Sequence, residues 1–529
     1  MARKPTLSYD RGTLILHPPP RGKEWLDYAT WDDRIERFRV PASQYRSLVL
    51  GLRAAEIEVI DNAKGFQEIE LVPSLEMEPY PHQQEALEAW KQAGRMGVIV
   101  LPTAAGKTYL AQLAMQATQR STLILVPTLD LMHQWYAHLI AAFPDANIGL
   151  LGGGSRDRTP ILVSTYDSAA INAETLGNQY ALLVFDECHH LPSDFNRVIA
   201  EYAIAPYRLG LTATPERTDG KHADLQTLIG AELYRRTAEE LSGTALAKHK
   251  AVQIKVHLSP QERERYDRLM QTRNAFLQEA DIYLSSTQGW QRFVQASARS
   301  KPGRKAMLAH REAKAIAFGT EGKLRVLADL LATHYPERTL IFTDDNATVY
   351  RISQEFLIPA ITHQTGVKER HEILTRFKQG DYRCLVASRV LNEGVDVPDA
   401  SIAIVLSGTG STREHIQRLG RVLRKGSNPN KLALLYEVVA ENTSEENVSR
   451  RRHGQPAAQS ARTKVHPATA QRQLELVPTP FYPVPKTAEL RAAEAEGEWN
   501  DVDDNQQSEM GTQSTARNPK NNQILGDTQ

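Results

Sequence analysis

The sequence predicts an α/β protein with two tandem parallel sheets. A small α+β unit precedes them, a helical insertion interrupts the second, and a polar tail follows. Three observations carry this prediction. Short strands that are apolar on both faces alternate with helical stretches from about residue 80 to 240, and again from about 250 to 440. Such runs imply parallel strands covered on both sides. A length of 529 residues predicts about three domains at roughly 150 residues each. Finally, residues 441–529 are rich in Gln, Asn, Ser, Thr, Ala and Pro. That composition buries too little apolar surface to order itself.

Taken in order, residues 1–75 contain short β-like runs at Gly12–Leu16 and Glu56–Ile60, and a helix over Ser43–Ala55 with Tyr45, Leu48, Val49 and Leu52 at helical spacing. In residues 76–245 the predicted strands are Val98–Leu101, Leu123–Val126, Ile161–Val163, Leu182–Phe185 and Arg208–Leu211. Residues 246–440 supply Thr339–Phe342, Cys384–Ala387, Ile402–Leu406 and Leu432–Leu435. Within them, 259–318 reads as helical and opens on Ser259-Pro260-Gln261-Glu262, a helix-start pattern. The segment Pro478–Pro485 in the tail favours an extended polyproline conformation and reads as a linker.

Lys+Arg and Asp+Glu are both 63, so the net charge is zero. This excludes a polybasic protein and leaves room for a local basic groove. Two cysteines, Cys188 and Cys384, exclude a disulfide scaffold and a cysteine-only zinc site. No apolar stretch of about 20 residues is present. The expectation is a soluble protein of a reducing cytoplasm with no membrane partner.

The chemistry concentrates in four segments. Leu101-Pro-Thr103-Ala104-Ala105-Gly106-Lys107-Thr108 follows an apolar strand and opens a helix, the context a phosphate loop needs. Backbone N–H groups at a helix N-terminus bind phosphate oxygens. Lys107 reaches the β- and γ-phosphates there, and Thr108 ligates Mg²⁺. About 80 residues on, Leu182-Leu-Val-Phe-Asp186-Glu187 ends an apolar strand in two adjacent carboxylates. Asp186 is the candidate Mg²⁺ holder and Glu187 the group that polarises attacking water. Thr212-Ala-Thr214 ends a further strand with small hydroxyls, suited to linking nucleotide state to a moving interface. Helical spacing puts Gln417, Arg421 and Arg424 on one face, able to meet γ-phosphate charge from another domain. Cys188-His189-His190 is no metal site, since adjacent residues at a strand end cannot all face one ion.

Together these segments resemble those of superfamily 2 nucleic-acid helicases. The motifs run in family order: Gln83 at the adenine-reading position, the Lys107 loop, Val126-Pro-Thr128, Ser164-Thr-Tyr166, Asp186-Glu-Cys-His189, Thr212-Ala-Thr214, Ile341-Phe-Thr343, Asn392 to Pro398, and Gln417 to Arg424. Within that superfamily the chain is most similar to the XPB type of DNA helicase, especially its prokaryotic forms. Ser407 to Gly426 resembles the family's final motif and its approach, and Gly97 to Pro102 its lead-in to the phosphate loop. Tyr9–Thr13, Thr30–Arg34 and Arg39–Arg46 resemble its N-terminal damage-recognition-like domain. Two departures stand out. The family's Arg-Glu-Asp element reads Arg217-Thr218-Asp219. Leu101 and Ala104 make the phosphate loop less glycine-rich.

The resemblance implies two RecA-like domains with ATP and Mg²⁺ in the cleft between them. Lys107, Thr108, Asp186 and Glu187 come from the first; Gly394, Asp396, Gln417, Arg421 and Arg424 come from the second. It implies 3′→5′ movement on DNA, single-stranded or as a tailed duplex, and connects Arg217-Thr218-Asp219 with strand separation. The insertion corresponds to the family's thumb-like element. Its Trp290, Arg292 and Phe293, with Arg299, Lys301, Arg304, Lys305, Arg311 and Lys314, suit phosphate neutralisation and base stacking. Three readings stay open: a repair-type DNA helicase, a double-strand translocase serving a partner nuclease or repair protein, and an ATP-gated DNA clamp with little turnover.

Overall fold

In the computed structural model the described residues are 4–23, 25–75, 77–217, 219–284, 288–335, 337–388, 400–408 and 431–452. All fall within the unit Met1–Gln459. Three sheets organise them.

The first sheet contains β1 (Thr6–Asp10), β2 (Thr13–His17), β3 (Thr30–Asp32), β4 (Arg37–Pro41) and β5 (Ile60–Asp61), in the order β3-β4-β2-β1-β5. Helix α1 (Tyr45–Ala54) buries Tyr45, Leu48 and Leu52 against Leu7, Leu14 and Leu16 of this sheet. Arg11 and Gly12 both have positive φ, as a two-residue hairpin between right-twisted strands requires. Gly12 is needed for space as well: a Cβ there would lie 2.4 Å from the Tyr202 ring. The run Glu56–Ile60 is not the strand its alternation predicts. Its first residues close α1, with Ile57 N donating to Leu52 O at 2.9 Å, and only Ile60 joins the ladder. Alternation alone does not distinguish a strand from a capping turn whose apolar side chains pack on the same core.

The second sheet is built from α2 (Pro81–Gln92), β6 (Met96–Val100), α3 (Lys107–Thr118), β7 (Thr122–Val126), α4 (Leu129–Ala142), β8 (Ile148–Gly152), β9 (Ser155–Arg156), β10 (Ile161–Thr165), α5 (Tyr166–Ile171), α6 (Ala173–Leu176), β11 (Leu182–Asp186), α7 (Val198–Tyr202), β12 (Tyr207–Thr212), α8 (Leu225–Leu228) and β13 (Glu232–Arg235). Its order is β13-β6-β12-β11-β7-β10-β8-β9, parallel throughout except for the β8–β9 hairpin. Strands β7, β10 and β11 are buried at every position, as fully covered parallel strands must be. The carboxyl ends of β6, β11 and β12 therefore lie side by side.

The third sheet comprises β14 (Lys248–Val256), α9 (Pro260–Glu279), α10 (Gly289–Arg299), α11 (Lys301–Gly319), α12 (Glu321–Thr333), β15 (Thr339–Phe342), α13 (Asn346–Phe356), β16 (Ala360–Ile361), α14 (Val367–Gln379), β17 (Cys384–Ala387), β18 (Ile402–Val405), β19 (Leu432–Ala440) and α15 (Ser444–Arg452). The order is β14-β19-β18-β15-β17-β16, and every pairing is parallel. The start of α9 is a reciprocal cap: Glu262 N donates to Ser259 Oγ, and Ser259 N donates to Glu262 Oε2 at 2.9 Å.

Residues 441–452, assigned to the tail by composition, fold onto the third sheet as α15. They dock by polar contacts. Glu445 pairs with Lys323 at 2.6 Å with both side chains buried. Ser449 bridges Glu437 and Gln253. An apolar-content criterion misses such an anchor because the groups that hold it are charged or hydroxylated.

Candidate active site

Strand β6 delivers the chain into the phosphate loop. The loop turns back through two left-handed residues, Ala104 at φ 70° and Gly106 at φ 79°, before α3 begins at Lys107. Gly106 suits this conformation; Ala104 adopts it at a steric cost of roughly 1–2 kcal/mol. Helix α2 clamps the loop from outside. His82 Nε2 lies 2.9 Å from Ala105 O, and since a carbonyl only accepts, the ring donates from that nitrogen. Gln83 Nε2 donates to Gly106 O at 3.2 Å, while Gln83 Oε1 accepts from Tyr80 N at 2.9 Å. A Cβ on Gly106 would sit 2.2 Å from Gln83 Nε2, so any side chain there would displace the clamping amide. Among the described residues Thr103 Oγ1 is buried without a hydrogen-bond partner, a polar atom that a phosphate oxygen would satisfy. Lys107 donates to Leu101 O at 3.2 Å, and Thr108 lies in the first turn of α3.

Strand β11 carries the two carboxylates to the adjacent strand end. Asp186 is buried, accepts from Trp135 Nε1 at 2.7 Å and from Glu187 N at 3.0 Å, and receives the Tyr166 hydroxyl on its carbonyl. Burial first, and the Glu187 charge second, push its carboxyl up to about 6; Lys107 and Trp135 oppose this. Glu187 has φ 46°, which turns it off the strand axis and brings Oε1 to 3.9 Å from Lys107 Nζ.

Strand β12 completes the row. Thr212 Oγ1 lies 3.1 Å from His189 Nδ1 and 3.5 Å from Glu187 Oε2. Thr214 N donates to Thr212 Oγ1 at 3.2 Å. Arg217 binds Asp219 through two nitrogens and donates to His189 O at 2.6 Å. The hydroxyl strand, the acidic pair and Arg217 thus form one connected set. Thr218 lies outside the described residues, as do Gly394, Asp396, Gln417, Arg421 and Arg424.

In the third sheet, Thr343 Oγ1 is 2.8 Å from Ser407 Oγ at the ends of β15 and β18. Arg370 of α14 crosses to the second sheet and pairs with Asp130 of α4 at 2.9 Å.

The insertion separates its aromatic pair. Trp290 is 48% exposed, edge-on to Phe293 and 5.3 Å from His310. Phe293 is wholly buried with Leu277, Ile282 and Ala306, which corrects its assignment as a base-stacking group: one face of α10 is core and the other is free. Arg292 is exposed, whereas Lys314 is bound to Asp344 at 2.9 Å.

Two site residues, Trp135 and His82, are not among the candidates the sequence offers, whereas Tyr166 lies in the Ser164-Thr-Tyr166 motif. Trp135 carries no sequence signal separating it from core, since Met132, Trp135 and Leu139 form an ordinary buried helical stripe. His82 adjoins Gln83, and that adjacency was the available signal.

A phosphate loop, an Asp-Glu strand end and a hydroxyl strand on one parallel sheet, followed by a second parallel sheet, define a motor-type nucleotide hydrolase. Residues 7–63 match the Xeroderma pigmentosum group B helicase damage recognition domain, 76–217 the type III restriction enzyme res subunit, and 322–426 the helicase conserved C-terminal domain. The chain is 42% identical over 422 residues to the DNA 3′-5′ translocase XPB2 of Sulfurisphaera tokodaii, covering 80% of this chain and 95% of that one. It is 30% identical over 365 residues to the DNA 3′-5′ helicase XPB of Mycobacterium tuberculosis, covering 66% of this chain but 59% of that one. Its fold is similar to that of the Pyrococcus furiosus Hef helicase domain, with TM-score 0.50, 20% identity, and 69% and 96% of the two chains covered. The chain belongs to the XPB-type superfamily 2 DNA helicases, with two RecA-like domains. It is an ATP-dependent DNA helicase or translocase. Among the described residues no helix is long and apolar enough to cross a membrane.

Proposed function

We propose that the chain is a 3′→5′ DNA motor whose ATP site is assembled from both RecA-like domains, residues 76–245 and 246–440. Lys107 binds the phosphates, Glu187 activates the attacking water, and Asp186 with Thr108 holds Mg²⁺. One carboxylate and one hydroxyl suit Mg²⁺, which keeps most of its sphere for water and phosphate oxygens. When bound, the ion neutralises charge on the transferring phosphoryl group. Gln83 recognises the base, and because its amide holds Gly106, recognition acts on the phosphate loop itself. Gly394, Asp396, Gln417, Arg421 and Arg424 complete the site from the second domain, and closure follows the γ-phosphate. DNA crosses Trp290 and Arg292 of the insertion.

The observation that carries this reading is Glu187 beside Lys107 at the shared strand ends: a carboxylate next to the phosphate-binding cation. The test is hydrolysis by Glu187→Gln, which keeps nucleotide binding and loses turnover, because an amide cannot take a proton from water.

A second reading is translocation on duplex DNA without strand separation, serving a partner nuclease or repair protein. The closed Arg217–Asp219 pair favours it, since both charges are already neutralised within the element the resemblance connects with unwinding. Pairing of opposite charges leaves less field to act on a displaced strand. Strand displacement measured beside triplex displacement separates the two. The homologous translocase name supports the same reading.

A further inference from the structure

We propose that Trp135 is a positioning residue: it fixes the Asp186 carboxylate and, through α4, ties the ATP site to the Asp130–Arg370 contact with the second α/β domain. The inference rests on the ATPase reading above and names how that site is coupled.

The Asp186 carboxylate is held by two donors from different elements. Glu187 N belongs to its own strand end; Trp135 Nε1, at 2.7 Å, belongs to α4. An indole N–H only donates, so in the interior it requires an acceptor, and the carboxylate is the one present. The ring itself has no freedom, because Trp135 is buried with Met132 and Leu139 on the same helical stripe. Carboxylate orientation is therefore set by where α4 sits.

The position of α4 is in turn set at its start. Thr128 caps the helix, accepting from Leu131 N at 3.3 Å, and Asp130 lies in its first turn. Asp130 accepts from Arg370 Nη1 at 2.9 Å, and Arg370 also donates to Thr365 O at 3.3 Å. Five residues of helix, about 7.5 Å of rigid rise, separate Asp130 from Trp135. A displacement of α14 relative to the second sheet therefore pulls on the rod that carries Trp135. Among the described residues Arg370 Nε is buried without a partner, so within them the bridge has an unmet donor. Such a contact suits a motor that makes and breaks it in each cycle.

The test uses the full chain. Trp135→Phe keeps the ring bulk and removes the N–H; Asp130→Asn removes the charge of the bridge at a partly exposed site. Binding of a fluorescent ADP analogue is titrated in EDTA and against Mg²⁺, and ATP hydrolysis is measured with and without duplex DNA. W135F should bind ADP in EDTA like wild type and need about tenfold more Mg²⁺, the size of effect typical when a ligand's supporting hydrogen bond is lost. Its stimulation by DNA should fall. D130N should keep the wild-type Mg²⁺ requirement and lose stimulation by DNA. The double variant should be stimulated no less than the more impaired of the two single variants, because both act along one path. A wild-type Mg²⁺ requirement in W135F, or losses that multiply in the double variant, would overturn the proposal. Should W135F fail to give a cooperative thermal transition, D130N decides, and unchanged DNA stimulation in it overturns the coupling. A wild-type chain that neither binds ADP nor hydrolyses ATP would instead refute the underlying ATPase reading, whatever the variants do.

Discussion

Lys107 Nζ lies 3.9 Å from Glu187 Oε1 while donating its hydrogen bond to the Leu101 carbonyl. The ammonium is therefore parked against the loop it serves, within reach of the carboxylate that acts on water. Phosphate oxygens compete with both partners and carry more charge in the transition state. Lys107→Ala should lower ATP turnover by at least 100-fold, about 2.7 kcal/mol at the transition state, with thermal stability close to wild type. The check is steady-state phosphate release beside a melting curve.

The loop's two left-handed residues make opposite predictions. At Gly106, an alanine meets both positive φ and the Gln83 amide at 2.2 Å, so Gly106→Ala should displace that amide and weaken nucleotide binding. At Ala104, a glycine relieves strain, so Ala104→Gly should stabilise the fold by about 1 kcal/mol. Calorimetric titration with ADP and thermal unfolding test the pair.

Much of this site was legible because phosphate binding and carboxylate chemistry occupy contiguous motifs at strand ends. Lys107, Asp186, Glu187 and Thr212 need only the strand–loop–helix order to be placed. Trp135 was illegible because its indole N–H acts across 51 residues of sequence from within an apolar stripe. Phe293 was misread because basic neighbours surround it in sequence, whereas the helix turns it inward. Residues 441–452 were misread because a buried ion pair, unlike an apolar face, has no periodic signature.

That ion pair sets the expectation for truncation. A chain ending after residue 452 should retain its stability and DNA-stimulated hydrolysis. A chain ending after residue 440 leaves Lys323 buried without Glu445, and should lose about 3–5 kcal/mol. Glu445→Gln should reproduce much of the loss. Denaturant unfolding of the three proteins measures it.

The insertion should respond to acid. Burial first, and the charges of Arg273, Lys314 and Arg311 after it, hold His310 down at about 4. The unfolded imidazole, near its ordinary 6.5, binds protons that the folded one refuses between those values. Stability should therefore fall as pH drops from about 6.5 to about 4, and be complete above that window. His310→Gln should flatten the slope, read from melting temperatures across the range.

Trp290 and Phe293 should separate binding from folding. Trp290→Ala should weaken DNA binding at a smaller stability loss than Phe293→Ala, because half its surface is exposed. Phe293→Ala should destabilise by about 3–5 kcal/mol, as expected for emptying a buried aromatic site. Fluorescence anisotropy with labelled DNA, beside unfolding curves, distinguishes them.

The central claim is an ATP-driven DNA motor whose turnover depends on Glu187. Its most direct test is steady-state ATP hydrolysis by the full chain and by Glu187→Gln, without nucleic acid and with single-stranded DNA, duplex DNA or RNA. The account predicts strong stimulation by DNA, little by RNA, and no turnover in Glu187→Gln despite retained ATP binding. Hydrolysis that ignores DNA, or that persists in Glu187→Gln, would contradict it.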